Sequence, residues 1–229
     1  MPMTQASTLY LCMARWDSFP NLEAELESIL SPQERLRLHN LANPRRRAQF
    51  LAGRHLARLA ISKATGDAPE AIQLSAFGRP MVQRPLFSGA DFNISHSGDW
   101  AAAVASVEAR VGIDIEEAKK PRKALEVAKA HFRPEEIAEL EVIKDPSQLQ
   151  RSFYHFWTRK EGYLKGLGEG IFEGGLGRVY FESGGDDESW RVMTAQFPGG
   201  LATVSASRLS EIVSDPPGLK FETSMVHEA

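Results

Sequence analysis

A single cysteine, Cys12, occurs in the 229 residues, so no intrachain disulfide can form and the chain fits a reducing compartment. No stretch approaches the ~18 apolar residues that cross a bilayer. The N-terminus lacks the basic start and apolar core of a secretory signal. We therefore expect a cytoplasmic protein without a membrane partner. An excess of either charge is missing as well: the net charge is −3, so no global basic field argues for nucleic acid. The six histidines are scattered, without the His/Cys spacing of a zinc site. No Gly-x-Ser-x-Gly elbow is present, and Ser95 and His96, being adjacent, make a poor nucleophile pair with Asp114.

What is present is an ordinary globular composition, 42% apolar and 25% charged, with length for one large domain or two small ones. Charge is locally uneven. Arg35, Arg37, Arg45, Arg46, Arg47, Arg54 and Arg58 meet no acid within 35–58, which reads as an anion-attracting zone. Within it, the run 45–47 reads as a solvated helix start rather than a ligand contact.

Residues 8–16 read as a strand. Ser31-Pro-Gln-Glu34 is a capping box with proline at the first helical position, opening a helix to about residue 41. Asn43-Pro44 then opens a long helix to about residue 65. A brief strand at 71–74 and a turn at Gly78-Arg79-Pro80 follow. A strand at 90–94 runs into a turn at 95–98, and further strands are expected at 100–107 and 111–115. Asp114 and Glu116 stand two apart, on one face of that last strand. Helical segments begin at Pro121 and Pro134. Asp145-Pro146 opens a second long helix, ended by Gly166, Gly168 and Gly170. Residues 178–181, 190–196 and 201–206 read as an antiparallel meander, and the chain after Asp215 as weakly ordered.

The order strand, helices, strands occurs twice. We expect an α+β fold of two pseudo-symmetric halves, 1–110 and 111–229, each a small, mostly antiparallel sheet packed on a long helix. No sequence repeat links the halves, so the expectation rests on element order.

In the second long helix, Phe153, Phe156, Trp157 and Leu164 recur at helical spacing, and Trp157, Glu161 and Lys165 rise along one face. By residue type alone, Glu161 and Lys165 make a surface ion pair, and Asp114 and Glu116 a solvated strand edge. Taken together, Asp114, Glu116 and Glu161 form an oxygen-donor set suited to magnesium. Gathered carboxylates repel one another and raise each other's pKa, and a hard dication relieves that repulsion. Asn93, Ser95 and His96 offer an amide, a hydroxyl and an imidazole to a phosphate or base. Arg37 and Arg79 offer bidentate phosphate grips.

Four motifs in register, Gly-Arg-Pro (78–80), Phe-Asn-Ile-Ser-His-Ser-Gly (92–98), Val-Gly-Ile-Asp-Ile-Glu (111–116) and Phe-x-x-x-Trp-x-x-Lys-Glu-x-x-x-Lys (153–165), resemble the 4′-phosphopantetheinyl transferases. The likeness spans about 31–171 and is nearest to the long single-chain branch that activates nonribosomal peptide and polyketide synthases. It implies transfer of the phosphopantetheine arm of coenzyme A to a serine of an apo acyl or peptidyl carrier protein. By the same resemblance Asp114, Glu116 and Glu161 hold Mg2+, and Glu161 receives the serine proton, directly or through a metal-bound water. Lys165 neutralises the bridging phosphate, and Lys160, Arg79, Ser95 and His96 contact coenzyme A, with His96 and Arg37 near the 3′-phosphate. Gly53 matches the tightly packed glycine of the family's first long helix. Gly162 departs from the family's usual alanine or serine. Two halves in one chain imply a monomer. Two other functions share these residues: a non-catalytic homologue binding coenzyme A and carrier protein, and a magnesium-dependent nucleotide hydrolase.

Overall fold

The computed structural model describes residues 7–75, 90–118, 123–169, 175–181, 190–207, 210–215, 219–225 and 227–228. The 78–80 turn with Arg79, the start expected at Pro121 and Gly170 lie outside them.

The first half opens with β1 (Ser7–Arg15), α1 (Leu22–Leu26) and α2 (Pro32–His39). The capping box forms: the Ser31 hydroxyl accepts from Glu34 N at 3.2 Å, and the Glu34 carboxylate accepts from Ser31 N at 2.9 Å. The long helix α3 (Pro44–Thr65) starts at Asn43, whose side chain accepts from Arg46 N, and stops at left-handed Gly66. Strands β2 (Asp91–Ser97) and β3 (Trp100–Ser106) follow.

The second half begins with β4 (Val111–Glu117), α4 (Ala124–His131), α5 (Pro134–Glu141) and the long helix α6 (Pro146–Leu167). It continues through β5 (Val179–Tyr180), β6 (Arg191–Phe197), β7 (Gly200–Ala206), β8 (Ser210–Asp215), β9 (Phe221–Met225) and β10 (His227–Glu228).

The two main sheets have the orders β2-β3-β1-β8 and β4-β7-β6-β9. The neighbour pattern β2-β3-β1 of the first half reappears as β6-β7-β4 in the second, with a 22-residue helix between the first and second of each three strands in the chain. The expected α+β class is thus what the chain adopts. All pairings in these sheets are antiparallel except β8, which lies parallel beside β1. A strand from beyond residue 111 therefore completes the first sheet.

Three local expectations are corrected. Residues 95–97 continue β2, paired with β3 from Ser95–Ala102 to Ser97–Trp100, and the turn begins only at Gly98. A 3-10 turn at Pro69–Ala71 takes the start of the expected strand at 71–74. The chain after Asp215 is not weakly ordered throughout: β9 pairs with β6 and closes the second sheet, and β10 pairs with β5.

The layers run α3, first sheet, second sheet, α6. Alternation along β3 shows why: Ala101, Ala103 and Ala105 belong to the core shared with α3, while Ala102 and Val104 pack with Val111, Ile113 and Ile115 of β4. A strand buried on both faces reads as a continuous small apolar run. On β4, the odd residues face the first sheet, which leaves Gly112, Asp114 and Glu116 toward α6.

That helix sits very close to β4. A Cβ on Gly112 would lie 2.1 Å from Gly162 O and 2.4 Å from Gly166 N, and one on Gly166 would strike the Trp190 ring at 2.6 Å. Gly162 has Thr203 O 3.3 Å from its Cβ position, so this glycine serves helix-on-sheet packing. In the first half, Gly53 meets Ile94 of β2 in the same way, at 2.9 Å.

The sheets meet where edge strand β2 lies along edge strand β4, and no backbone pairing joins them. Instead, side chains of alternate β2 residues accept from alternate β4 amides. Asp91 accepts from Val111 N at 2.7 Å, Asn93 from Ile113 N at 3.3 Å, Ser95 from Ile115 N at 3.2 Å and Ser97 from Glu117 N at 3.0 Å.

Gly112→Ala should push α6 away from β4 and cost about 3 kcal/mol in urea unfolding. An unchanged unfolding midpoint would contradict the close-approach role.

Candidate active site

The seam between β2 and β4 is also where the acids are held. The Ser95 hydroxyl donates to Asp114 Oδ1 at 2.9 Å, and the Ser97 hydroxyl donates to Glu116 Oε2 at 2.7 Å. From the opposite side α6 presents Lys165, whose Nζ lies 2.5 Å from Asp114 Oδ1 and 3.5 Å from Glu161 Oε2. Two carboxylates from separate segments thus close on one ammonium. Glu116 stands outside that pair, turned toward Ser97.

The electrostatics follow from crowding. Burial pushes the Glu161 carboxyl up to about 8, Asp114 and Glu116 add to the rise, and Lys165 opposes it. For Lys165, burial works against the ammonium, but Asp114 and Glu161 outweigh it and the net shift is upward. The second oxygen of Asp114 is buried and has no hydrogen-bond partner among the described residues. An orphaned carboxylate oxygen beside a second carboxylate of raised pKa fits a hard dication in donor type and charge. As the side chains stand, no group of three His, Cys, Asp or Glu among the described residues surrounds one point, and Lys165 is the cation between the acids.

Beside this cluster lies a cleft of about 740 Å³. Arg45, Arg46 and Gln49 from the start of α3 line one wall, His96 to Asp99 the floor, and Glu116, Glu117 and Tyr154 the other wall. The His96 ring is open to the cleft but crowded. Partial burial lowers its pKa, and the charges of Lys165 and Arg46 lower it further. It is therefore a neutral imidazole at physiological pH.

The arginine-rich zone is mostly spent on structure. Glu34, one residue before the acid-free stretch, is fully buried and pairs with Arg58 at 2.7 Å and Arg54 at 3.7 Å. Arg35 donates to Leu30 O. Arg45 pairs with Asp99 at 2.9 Å, and Arg47 with Glu23 at 2.5 Å. Among the described residues no carboxylate pairs with Arg46. This exposed side chain lines the cleft, whereas run 45–47 was expected only to be solvated. Arg37 stacks over Phe50, 5.7 Å from the ring centre, and is not among the residues lining the cleft.

Two further residues differ from expectation. Lys160 is fully buried, and its ammonium bonds Leu176 O at 2.8 Å, Val179 O and Glu136 at 2.9 Å. Its three donors are used, so it ties α6 to α5 and to β5 instead of facing a ligand. Asn93 is buried in the seam. The sequence reading missed Ser97, Arg46, Gln49 and Tyr154. A legible signal existed for Ser97: Asp91, Asn93, Ser95 and Ser97 are polar at every second position of a strand, which marks a face bonded to something polar.

Comparison with known proteins adds an independent line. A model of the 4′-phosphopantetheinyl transferase superfamily matches residues 110–186, and one described as 4′-phosphopantetheinyl transferase, N-terminal, matches residues 14–108. The chain is 31% identical over 214 residues to a phosphopantetheinyl transferase of Thraustochytrium sp., covering 88% of this chain and 73% of that one. It is 30% identical over 194 residues to 4′-phosphopantetheinyl transferase HetI of Nostoc sp., covering 83% and 76%. It is 33% identical over 146 residues to 4′-phosphopantetheinyl transferase Sfp of Bacillus subtilis, covering 63% and 62%.

The raised Glu161 carboxyl sets a pH dependence. Without a divalent cation the folded state keeps its proton to about pH 8, whereas the unfolded chain releases it near the ordinary 4.5. This group's contribution to stability therefore falls as pH rises from about 4.5 to 8. In metal-free buffer, the melting temperature of Glu161→Gln minus that of the parent should be small near pH 4.5 and grow toward pH 8. A pH-independent difference would show that Glu161 is not perturbed.

Proposed function

This chain belongs to the 4′-phosphopantetheinyl transferase superfamily and is a transferase of that class, and we propose that it moves the phosphopantetheine arm of coenzyme A to a serine of an apo acyl or peptidyl carrier protein. The observation that carries this reading is the meeting of Asp114, Glu161 and Lys165 beside a cleft whose opposite wall bears Arg46 and whose floor bears His96.

The serine oxygen forms a bond to the phosphorus that bears the pantetheine arm. The bond from that phosphorus to the oxygen of the adenosine-side phosphate breaks, and adenosine 3′,5′-bisphosphate leaves with the electron pair. The serine proton passes to Glu161, directly or through a water; a bound cation would keep this carboxylate ionised and able to accept it. Lys165 offsets the charge that develops on the departing phosphate. Asp114, Glu116 and Glu161 would hold Mg2+, which supplies charge neutralisation at the diphosphate. Arg46 and His96 take the adenosine-side phosphates. Arg37 and Arg79 enter this proposal by resemblance alone, and Lys160 acts by anchoring α6.

We further propose that the protein acts as a cytoplasmic monomer, with the cleft supplied by its own two halves. No helix among the described residues is long and apolar enough to cross a membrane.

Incubation with coenzyme A, magnesium and a panel of apo carriers, read by intact mass, should add one phosphopantetheine to at least one carrier. Coenzyme A cleavage without a carrier would instead mark a hydrolase, and binding without turnover a non-catalytic homologue. Arg46→Ala should raise KM for coenzyme A roughly tenfold or more at near-constant kcat, as expected for one lost charge-assisted phosphate contact. Unchanged KM would remove Arg46 from the site.

A further inference from the structure

We infer that Ser97 is a positioning residue that sets the Glu116 carboxylate for transfer; the inference rests on the function proposed above. Its hydroxyl is used twice, accepting from Glu117 N at 3.0 Å and donating to Glu116 Oε2 at 2.7 Å. The hydroxyl is itself held from several directions. Ser97 pairs with Trp100 across the hairpin. The turn after it is clamped from both sides: Gln49 of α3 donates to Gly98 O at 2.8 Å, and Asp99 N donates to Glu117 Oε2 at 3.1 Å. The turn lies close over the Glu117 side chain: a Cβ at Gly98 would come 1.7 Å from that same Glu117 oxygen.

Glu116 is half-buried on the cleft wall, where a glutamate has more than one rotamer. A donor built into the neighbouring strand selects one of them. Ser95 does the same for Asp114, but it also receives a hydrogen bond from Lys165 at 3.3 Å, so its removal would disturb the whole cluster. Ser97 isolates the positioning effect. The rival role is direct contact with the coenzyme, because Ser97 also lines the cleft.

The test is a double-mutant cycle on the full chain: parent, Ser97→Ala, Glu116→Gln and the double variant, with Ser97→Thr as the conservative replacement. Ser97→Ala should lower kcat roughly tenfold, the worth of one hydrogen bond to a charged group, and leave KM for coenzyme A within about twofold. Ser97→Thr should restore kcat. Adding Ser97→Ala to Glu116→Gln should change kcat by less than about twofold, because the group being oriented has already been altered. Thermal melting of the same four proteins, without ligand, should give losses that are less than additive.

A raised KM at constant kcat would reassign Ser97 to ligand contact. An equal loss in both backgrounds, or additive melting shifts, would overturn the coupling to Glu116. If the parent transfers nothing to any carrier, the proposed function fails, and the melting cycle alone decides whether Ser97 and Glu116 are coupled.

Discussion

An edge strand buried without a neighbouring strand leaves every second N–H in need of an acceptor, and each one left unmet costs about 1–3 kcal/mol. β4 is such a strand. Its apolar residues Val111, Ile113 and Ile115 are fully buried against the first sheet, which rules out water as a general partner. The chain meets this need with the side chains of Asp91, Asn93, Ser95 and Ser97, one for each outward amide. A one-residue slip of β2 would turn its apolar face, Phe92 and Ile94, onto those amides. The register between the halves is therefore fixed by hydrogen-bond accounting, and the acids on β4 inherit that register.

The charge arrangement builds on the seam. Asp114 is set by Ser95 from one half, and Glu161 and Lys165 reach it from α6 in the other. They can do so only because glycines let the helix lie on the strand. Burial first, and the charges of Asp114 and Glu116 after it, drive Glu161 toward its protonated form, so the cluster favours a further positive charge. The diphosphate and divalent cation proposed above would complement such a site, and Arg46 and His96 line the cleft beside it. The same groups would make little of a neutral ligand.

How much of this was readable from the chain depends on the type of signal. Local rules carried far: the Ser31–Glu34 capping box, the Asn43 and Asp145 helix starts, and the alternation that puts Asp114 and Glu116 on one face all recur in the structure. The repeated element order anticipated two like sheets. Non-local features were lost. That Glu34 would neutralise Arg58 from 24 residues away, or that Lys160 would meet the carbonyls of 176 and 179, depends on tertiary packing that no window of sequence contains. Ser95, His96 and Ser97 were read as a turn because polar residues favour turns, yet here polarity serves a neighbouring strand. The closing strand β9 was missed because Pro216 and Pro217 suggested an unstructured end.

The central claim is that side chains of β2 replace a partner strand for β4. Native-state amide hydrogen exchange tests it directly. The account predicts that the amides of Val111, Ile113, Ile115 and Glu117 exchange as slowly as those of Gly112, Asp114 and Glu116, the alternate set facing β7, and that Asn93→Leu speeds exchange at Ile113 first. Rapid exchange at 111, 113, 115 and 117 beside a protected alternate set would mean that the seam is open and that something else holds the two halves in register.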